Sequence, residues 1–329
     1  MKLKPEHNAV IYSLPGNSEF RICRQNDFNV SEKHDKSESY FVVRPFNDDK
    51  KVLFIRADVH ENIDLSELVV ESYINAPNSE AVQQSDYERL ISKTIDRSQE
   101  INGKIIVSRI DEASMQSFNL TKSLQNLRNK FPQSFIYFLI SKQYGIWLGA
   151  TPETLVEKEG ELLSTMALAG TKWGGELFTQ KEFDEQMLVS RDIMDCLSKE
   201  VVEIGDVHEM NFGELRHLRT NFRWQSEDSI LRFAELLHPT SAICGFPRAE
   251  ALEFILSNEE HERGLYSGYL GFVDSNHSQL FVNLRCMRLF DNQIRVHVGG
   301  GINAKSDPIS EWEETVRKSN SVKEAIAHG

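Results

Sequence analysis

Very short connections between apolar, strand-like segments constrain the fold of this chain most. Glu159-Gly160 alone joins one pair of strand candidates, and Asp291-Asn292 joins another. Parallel strands need a crossover of a dozen residues or more, whereas antiparallel strands can be joined by a tight turn. The sequence therefore predicts antiparallel sheets. The strand candidates are 52–56, 104–109, 134–140, 145–150, 154–158, 161–167, 268–273, 279–289 and 293–298.

Helical patterns are fewer and lie between the strand candidates. The helix with the best-marked start has Asp307 as a suitable N-cap and Pro308 at the first helical position. Antiparallel strands combined with separate helices indicate an α+β fold rather than a doubly wound parallel sheet. The polar region 76–100 is interpreted as a connecting helix and loop. The helix that begins at Pro308 is predicted to span 308–326, and the other helix candidates are 117–130, 181–202, 229–237 and 248–256.

The composition is acidic, with 50 Asp and Glu against 37 Lys and Arg and a formal net charge of −13. This argues against nucleic acid as a partner, and any anionic substrate must be held by local cations or a metal. No run reaches the roughly 20 apolar residues of a membrane span, and the first residues lack the apolar stretch of a secretory signal. We therefore expect no membrane association and a cytoplasmic location. The four cysteines are widely spaced, which predicts neither disulfides nor a zinc site.

Carboxylates at the predicted helix starts are candidate metal ligands. Glu311, Glu314 and Lys318 are three and four residues apart and share one helix face. Glu182, Asp184 and Glu185 open another predicted helix. The simpler interpretation of the first group is a solvent-exposed helix face with an ordinary Glu–Lys pair. The simpler interpretation of the second group is that acidic residues complement the helix dipole. The alternative is a Mg²⁺ site, since Mg²⁺ typically takes one or two protein carboxylates and leaves positions for water and substrate.

Four further features are weaker signals. Glu153 follows Thr151-Pro152 at a strand end, where a carboxylate is usually exposed to solvent. Lys104 opens a strand and is either an exposed surface residue or, if buried among apolar neighbours, a base with a lowered pKa. The glycines at 299–301 suit either a tight turn with positive φ or a close backbone approach to an anion. His217 and His238 are either hydrogen-bonded core histidines or metal ligands.

Seven motifs in this order along residues 95–320 resemble the chorismate-utilising enzyme family, which includes isochorismate, salicylate, anthranilate and aminodeoxychorismate synthases. An ordered set at suitable separations is far more specific than any single motif. The motifs are Lys104 to Arg109, Gly149 to Glu153, Ala167-Leu168-Ala169-Gly170-Thr171, Glu185 to Val189, Leu237-His238-Pro239-Thr240, Leu284-Arg285-Cys286 and Glu311 to Lys318.

The resemblance implies a division of chemical roles. Lys104 matches the base that takes a proton from the attacking water, and it must be neutral to act, which burial would favour. Glu153 matches the general acid that protonates the departing ring hydroxyl. Glu185 and Glu314 match the ligands of Mg²⁺, which binds the ring carboxylate of chorismate. Gln186 departs from the pattern, because many relatives carry a histidine there.

The resemblance also implies a set of substrate-binding residues. Arg285 and Lys318 match positions that hold the enolpyruvyl carboxylate, for which arginine offers a bidentate grip. The remaining matches line the pocket, and they are Gly170, Thr171, His217 and Gly299.

Within the family, the residues favour water as the nucleophile and an isochorismate synthase as the activity. Ala169 stands where aminodeoxychorismate synthases carry a nucleophilic lysine, and Lys104 stands where ammonia-using members tend to have glutamine. His238-Pro239-Thr240 resembles the isochorismate synthases. The alternatives are a salicylate synthase, which goes on to eliminate pyruvate, and an inactive chorismate-binding homologue.

The fold implied by the resemblance is a four-layer α/β/β/α arrangement with two packed antiparallel sheets. We expect residues 1–95 to be part of the same body and 96–329 to form the chorismate-binding catalytic region. We also expect a monomer without a glutaminase subunit. The isochorismate would serve either menaquinone or siderophore synthesis, with menaquinone favoured as the more widespread need.

Overall fold

The computed structural model describes residues 2–27, 38–47, 50–70, 76, 78–115, 118–212 and 215–327. The helices are α1 (Gln84–Glu100), α2 (Leu120–Lys130), α3 (Gln180–Cys196), α4 (Ile230–Leu237), α5 (Arg248–Asn258) and α6 (Pro308–Lys323), with a 3₁₀ turn at Leu65–Glu67. The first ten strands are β1 (Lys2–Leu3), β2 (Ala9–Ser13), β3 (Arg21–Arg24), β4 (Tyr40–Arg44), β5 (Leu53–Arg56), β6 (Val59–Asn62), β7 (Val69–Val70), β8 (Lys104–Ser114), β9 (Phe135–Ser141) and β10 (Gly145–Thr151). The others are β11 (Thr154–Glu159), β12 (Leu162–Trp173), β13 (Glu203–Ile204), β14 (His208–Phe212), β15 (Leu215–Gln225), β16 (Gly245–Phe246), β17 (Tyr269–Val273), β18 (His277–Val282), β19 (Cys286–Leu289) and β20 (Gln293–Ile302).

Two nine-stranded sheets form the body of the protein. The first has the order β16-β8-β20-β19-β10-β9-β2-β3-β6. The second has the order β13-β15-β12-β11-β18-β17-β4-β5, and β14 also pairs with β15. Every strand pair described in these two sheets is antiparallel, as the short connections predict. The short strands β1 and β7 pair in parallel outside them.

Apolar side chains on both faces of each sheet produce four layers. Between the sheets, Phe135 of the first stacks on Phe281 of the second with ring centroids 4.3 Å apart. The outer face of the first sheet buries residues of α1, α2, α5 and α6, and that of the second buries residues of α3 and α4. Burial of a large apolar side chain contributes roughly 1.5–3 kcal/mol. The predicted α+β fold with packed antiparallel sheets and helices outside is confirmed.

One strand prediction is wrong in a way that matters for function. The candidate 279–289 is two strands, β18 in the second sheet and β19 in the first. Arg285 lies between them with a φ of 50°. A residue in this left-handed region cannot continue an extended strand, so the chain turns there and crosses from one sheet to the other.

The glycines at 299–301 form neither a turn nor a loop. They lie inside β20, which continues to Ile302, and none of them has a positive φ. The predicted strands 104–109 and 161–167 are too short, since β8 continues to Ser114 and β12 to Trp173, and the predicted helix 181–202 is too long, since α3 ends at Cys196. The other predicted strands and helices agree with the structure to within a few residues. Predicted helix 117–130 is α2, which begins at Leu120 with Asn119 as its N-cap, and residue 117 lies outside the described residues.

The first 95 residues supply strands to both sheets. Strands β2, β3 and β6 end the first sheet, and β4 and β5 end the second. The division into a region 1–95 and a catalytic region 96–329 remains a prediction. Among the described residues, no helix combines the length and the apolar character needed to cross a membrane.

Candidate active site

Lys104 opens β8, and its side chain crosses the neighbouring strand β20 over Gly301. A Cβ on Gly301 would lie 2.0 Å from Cε of Lys104, so only glycine leaves room for this path. Nζ of Lys104 lies 3.5 Å from a carboxylate oxygen of Glu185, and the lysine side chain is 17% exposed. Lys104 is thus mostly buried but beside a carboxylate, not among apolar neighbours alone.

Glu153 lies in the turn where the chain leaves β10 in the first sheet and enters β11 in the second. Its backbone is held at both sides, because Glu153 N donates to Oγ1 of Thr151 and its carbonyl accepts from Val282 N at 3.0 Å. The residue is 4% exposed, and no described residue donates a hydrogen bond to its carboxyl group. Burial raises the pKa of Glu153 to about 8. At neutral pH it therefore holds a proton that it can donate.

Strand β8 fixes the rotation of α6 through its outward face. Arg109 Nε donates to Oγ1 of Thr315 at 2.8 Å, and its guanidinium lies 4.0 Å from the centre of the Trp312 ring. Asp111 accepts from Oγ of Ser319 at 2.6 Å. Because these α6 residues face β8, the neighbouring positions 311, 314 and 318 are turned toward the space between the sheets.

The inward side chains of α6 form a charged group. Lys318 Nζ lies 2.5 Å from Glu314 and donates to the carbonyl of Gly299 at 3.0 Å. The Lys318 ammonium lowers the pKa of Glu314 to about 2, so Glu314 is ionised. Burial and the charge of Glu314 raise the pKa of Glu311, which accepts a hydrogen bond from Ser306 at 2.8 Å.

Helix α3 presents Glu185 from the second sheet. Its start carries a capping box between Thr179 and Glu182. Gln186, which is buried, ties the helix to β12, because its Oε1 accepts from Ala169 N at 3.0 Å and its Nε2 donates to the Ala167 carbonyl at 3.1 Å. Gln186, where many relatives carry a histidine, therefore affects how α3 is held on β12. Its side chain lies outside the cavity that Glu185 lines.

Strand β12 bends at Gly170, which has a φ of 68° and interrupts the register with β15. A Cβ there would lie 2.8 Å from the carbonyl oxygen of Glu182, so glycine allows α3 to approach the strand. The next residue, Thr171, lies 3.1 Å from Nδ1 of His217 through its hydroxyl. Burial, together with the charges of Arg285 and Lys318, lowers the pKa of His217 to about 3, so the imidazole is neutral.

All ten residues singled out from the sequence line one cavity of about 190 Å³ between the sheets and helices α3 and α6. We call it the active-site cavity. His238, the other histidine considered, is not among its lining residues. The cavity-lining predictions are Lys104, Glu153, Gly170, Thr171, Glu185, His217, Arg285, Gly299, Glu314 and Lys318. Their chemical roles remain predictions.

Some lining residues had no assigned role in the sequence. Gly301 makes room for Lys104, and Glu311, a candidate metal ligand from its helix spacing but outside the set of ten, adds a carboxyl group near Glu314. Tyr266 and His297 complete one wall. The three-residue spacing of Glu311 and Glu314 is visible in the sequence, whereas Tyr266 and His297 carry no local signal because only the pairing of distant strands brings them here.

The lining suits a Mg²⁺ ion held jointly with a substrate. Glu185 and Glu314 are both carboxylates lining the active-site cavity, and the low pKa of Glu314 keeps it an anionic ligand. Within the described part of the chain, no group of three or more His, Cys, Asp or Glu side chains forms a preassembled metal site. Mg²⁺ needs only one or two protein carboxylates when water and substrate oxygens supply the rest.

The chain is similar to known proteins in sequence and in fold. Residues 49–327 match the family model described as chorismate binding enzyme. The chain is 29% identical over 264 residues to isochorismate synthase EntC of Escherichia coli K12, covering 74% of this chain and 67% of that protein. Two solved structures share the fold.

The first is the 2,3-dihydroxybenzoate-specific isochorismate synthase DhbC of Bacillus anthracis, with a TM-score of 0.81, 21% identity, and coverage of 98% of this chain and 97% of that one. The second is the menaquinone-specific isochorismate synthase MenF of Escherichia coli, with a TM-score of 0.83, 18% identity, and coverage of 97% and 88%.

Proposed function

This chain belongs to the chorismate-binding enzyme family, and on that premise we propose that it is a Mg²⁺-dependent isochorismate synthase. One observation carries the proposal. A buried carboxylic acid, Glu153, and a lysine, Lys104, line the same cavity as the carboxylates and cations that would hold a dianionic substrate. The similarity to isochorismate synthases such as EntC supports the same activity.

The reaction adds water at ring C2 and expels the C4 hydroxyl while the ring double bonds shift. Lys104, which must be a neutral amine to act as a base, accepts a proton from the attacking water, and Glu153 gives its proton to the departing hydroxyl, which leaves as water. The raised pKa of Glu153, about 8, supports its role as acid. A positioned acid or base typically contributes a factor of about 10² to 10⁴ in rate.

The two substrate carboxylates are assigned to different groups. Arg285 and Lys318 bind the enolpyruvyl carboxylate. Glu185 and Glu314 would hold Mg²⁺, which when bound neutralises and orients the ring carboxylate and offsets the Glu185 charge now paired with Lys104. This local arrangement of cations lets a chain with a net charge of −13 bind a dianion.

The lining supports water rather than an amine as nucleophile. Ala169 contributes only a methyl group to the active-site cavity, so no lysine is available there for covalent attack. In this proposal Lys104 activates water, so the reaction would need no ammonia from a glutaminase partner.

Product analysis tests the proposal. Purified protein should convert chorismate to isochorismate when Mg²⁺ is present, as followed by chromatography. Release of pyruvate with a fluorescent phenol would instead identify a salicylate synthase. Absence of turnover with intact chorismate binding would identify an inactive homologue. The same proposal includes a monomeric protein in the cytoplasm that supplies isochorismate for menaquinone synthesis.

A further inference from the structure

A second cavity, of about 540 Å³, lies beside the active-site cavity and shares His297 with it. We call it the outer cavity. Strand β20 lines both cavities. Its residues 295 and 297 line the outer cavity, and residues 297 and 299 line the active-site cavity. The side chains that matter here are Ser108, Trp147, His261, Arg288, Arg295 and His297.

The outer cavity is lined by an arginine, Arg288, that forms no ion pair among the described residues. Arg288 and Arg295 are direct cross-strand partners on β19 and β20, an arrangement in which like charges repel. Arg295 is neutralised by Glu80 at 2.6 Å and Glu112 at 2.9 Å. Arg288 is half-buried and has no hydrogen bond or ion pair within the described part of the chain, and its guanidinium lies 4.9 Å from the Phe290 ring centre.

The acidic residues around this cavity form their ion pairs with other cations. Asp86 pairs with Arg89 at 2.9 Å, and Glu262 pairs with Lys50 at 3.1 Å. Glu80 acts electrostatically on Arg288 but pairs with Arg295. Within the described part of the chain Arg288 therefore keeps its hydrogen-bond donors for a ligand.

His297 supplies an unsatisfied hydrogen-bonding group on the same wall. It is 4% exposed, and its Nδ1 has no partner among the described residues. Its ring stacks between Trp147, 5.1 Å away, and Tyr266, 5.7 Å away, which fixes the ring orientation. Burial and nearby cationic groups, including Arg288, hold the pKa of His297 well below its usual range, so the ring is neutral.

His261 adds a second neutral imidazole to the outer cavity. Its Nε2 lies 3.0 Å from Oγ of Ser108, which in turn donates to buried Glu259. Burial lowers the pKa of His261 despite the neighbouring Glu259 carboxylate. Since Ser108 donates to Glu259, it accepts from Nε2 of His261, which uses the single N–H of that neutral ring. The guanidinium of Arg288 and an N–H of His297 remain as donors suited to an oxyanion, because hydrogen bonds to a charged acceptor are stronger than neutral ones.

We propose that the outer cavity binds a small oxyanion, a carboxylate or a phosphate, at Arg288 and His297. Its occupancy alters catalysis through the stack of Trp147, His297 and Tyr266, since Tyr266 lines the active-site cavity. This coupling rests on the proposed function, whereas the binding itself does not.

Calorimetric titration of the full chain with inorganic phosphate and, separately, benzoate tests the binding. Arg288→Gln should weaken the preferred anion at least about tenfold, and Arg288→Lys should recover part of the affinity. Arg97→Gln is the matched control, because it removes one positive charge on the surface of α1 outside this cavity. Thermal melting verifies that each variant is folded.

Lys318→Met separates the outer cavity from the active site. Anion binding should persist in Lys318→Met and be lost in Arg288→Gln. The reverse pattern, or no binding of either anion to the wild type, overturns the proposal. Phosphate and benzoate distinguish the two oxyanion classes.

Initial rates with chorismate test the coupling. A saturating anion should change the chorismate KM of the wild type by about threefold or more and leave that of Arg288→Gln unchanged. An unchanged KM with anion bound overturns the coupling. If the wild type has no turnover, the proposed function fails, while the calorimetry still decides whether the anion site exists.

Discussion

At the scale of single residues, the active-site cavity holds two glutamates in different protonation states. Glu153, buried without a donor to its carboxyl group, keeps its proton, whereas Glu314 beside Lys318 loses it well below neutral pH. Both residues are glutamates with the same intrinsic pKa. Their environments assign one to proton donation and the other to charge and metal binding.

Glu153→Gln should stabilise the protein increasingly as pH rises. The unfolded chain releases this proton near the ordinary pKa of 4.5, but the folded chain keeps it until about pH 8. Folding is therefore penalised progressively between these values, and the substitution should gain about 3 kcal/mol at pH 7 and little at pH 4.5. Urea unfolding at several pH values measures this, and a gain independent of pH would contradict the burial argument.

The same pKa predicts the alkaline limit of activity. The protonated form of Glu153 is the active acid, so kcat/KM for chorismate should fall as pH rises through about 8. A pH-rate profile measures the limb. Activity that stays level to pH 10 would remove Glu153 from the role of acid.

Lys104→Gln should abolish turnover, by a factor of at least about 10², while chorismate binding changes little. The reason is that Lys104 is proposed to accept a proton from water, whereas other groups bind the two carboxylates of chorismate. Chromatographic product assay and calorimetric chorismate titration measure the two effects, with Lys142→Gln on an exposed turn as control. Residual turnover with lost binding would make Lys104 a binding residue.

Glu314→Ala should raise the Mg²⁺ concentration needed for half-maximal rate by tenfold or more, because one of two carboxylate ligands is lost. The measurement is a Mg²⁺ titration of the rate at saturating chorismate. Since Lys318 also loses its partner, the chorismate KM is recorded in parallel. An unaltered metal titration would take Glu314 out of the metal site.

At the scale of elements, the end of β20 leaves space for the side chain of Lys104 because it is built of glycines. Gly299 and Gly301 face the cavity, and Gly301 opens the path of Lys104 from β8. The glycines act as strand residues with missing Cβ atoms, and no unusual backbone angle is involved.

Gly301→Ala should give a folded but nearly inactive enzyme. The added Cβ would meet Cε of Lys104 at 2.0 Å and Nζ at 2.7 Å, which are the flexible end of a side chain and move at small cost in stability. Displacing Nζ should reduce kcat at least about 10²-fold with melting nearly unchanged. Gly175→Ala is the control, because a Cβ there meets nothing within 4 Å. Full activity in Gly301→Ala would show that Lys104 need not occupy this path.

At the scale of the whole molecule, the two sheets form one body into which the first 95 residues are built. Strand β2 pairs with β9 in the first sheet, and β4 pairs with β17 in the second. Val10 and Phe41 from these strands are fully buried between the sheets. Their removal would uncover two sheet edges and part of the core.

A fragment of residues 76–329 should therefore fail to fold, although it contains all ten predicted site residues. We expect an insoluble product or one without cooperative thermal unfolding, as measured by circular dichroism against the full chain. A soluble fragment that melts cooperatively and converts chorismate would instead show that residues 76–329 fold without the N-terminal strands.

The sequence alone determined the antiparallel pairing, since two-residue connections such as Glu159-Gly160 allow nothing else, and it marked the start of α6 at Asp307 and Pro308. The order of motifs also identified the residues that gather in one cavity. Local patterns could not reveal the break at Arg285, because β18 and β19 together read as one apolar segment until strand pairing places them in different sheets. Nor could they assign the protonation of Glu153, which depends on burial by residues far away in the chain. His297 and its outer cavity likewise exist only because β19, β20 and β8 pair, so tertiary structure alone decided them.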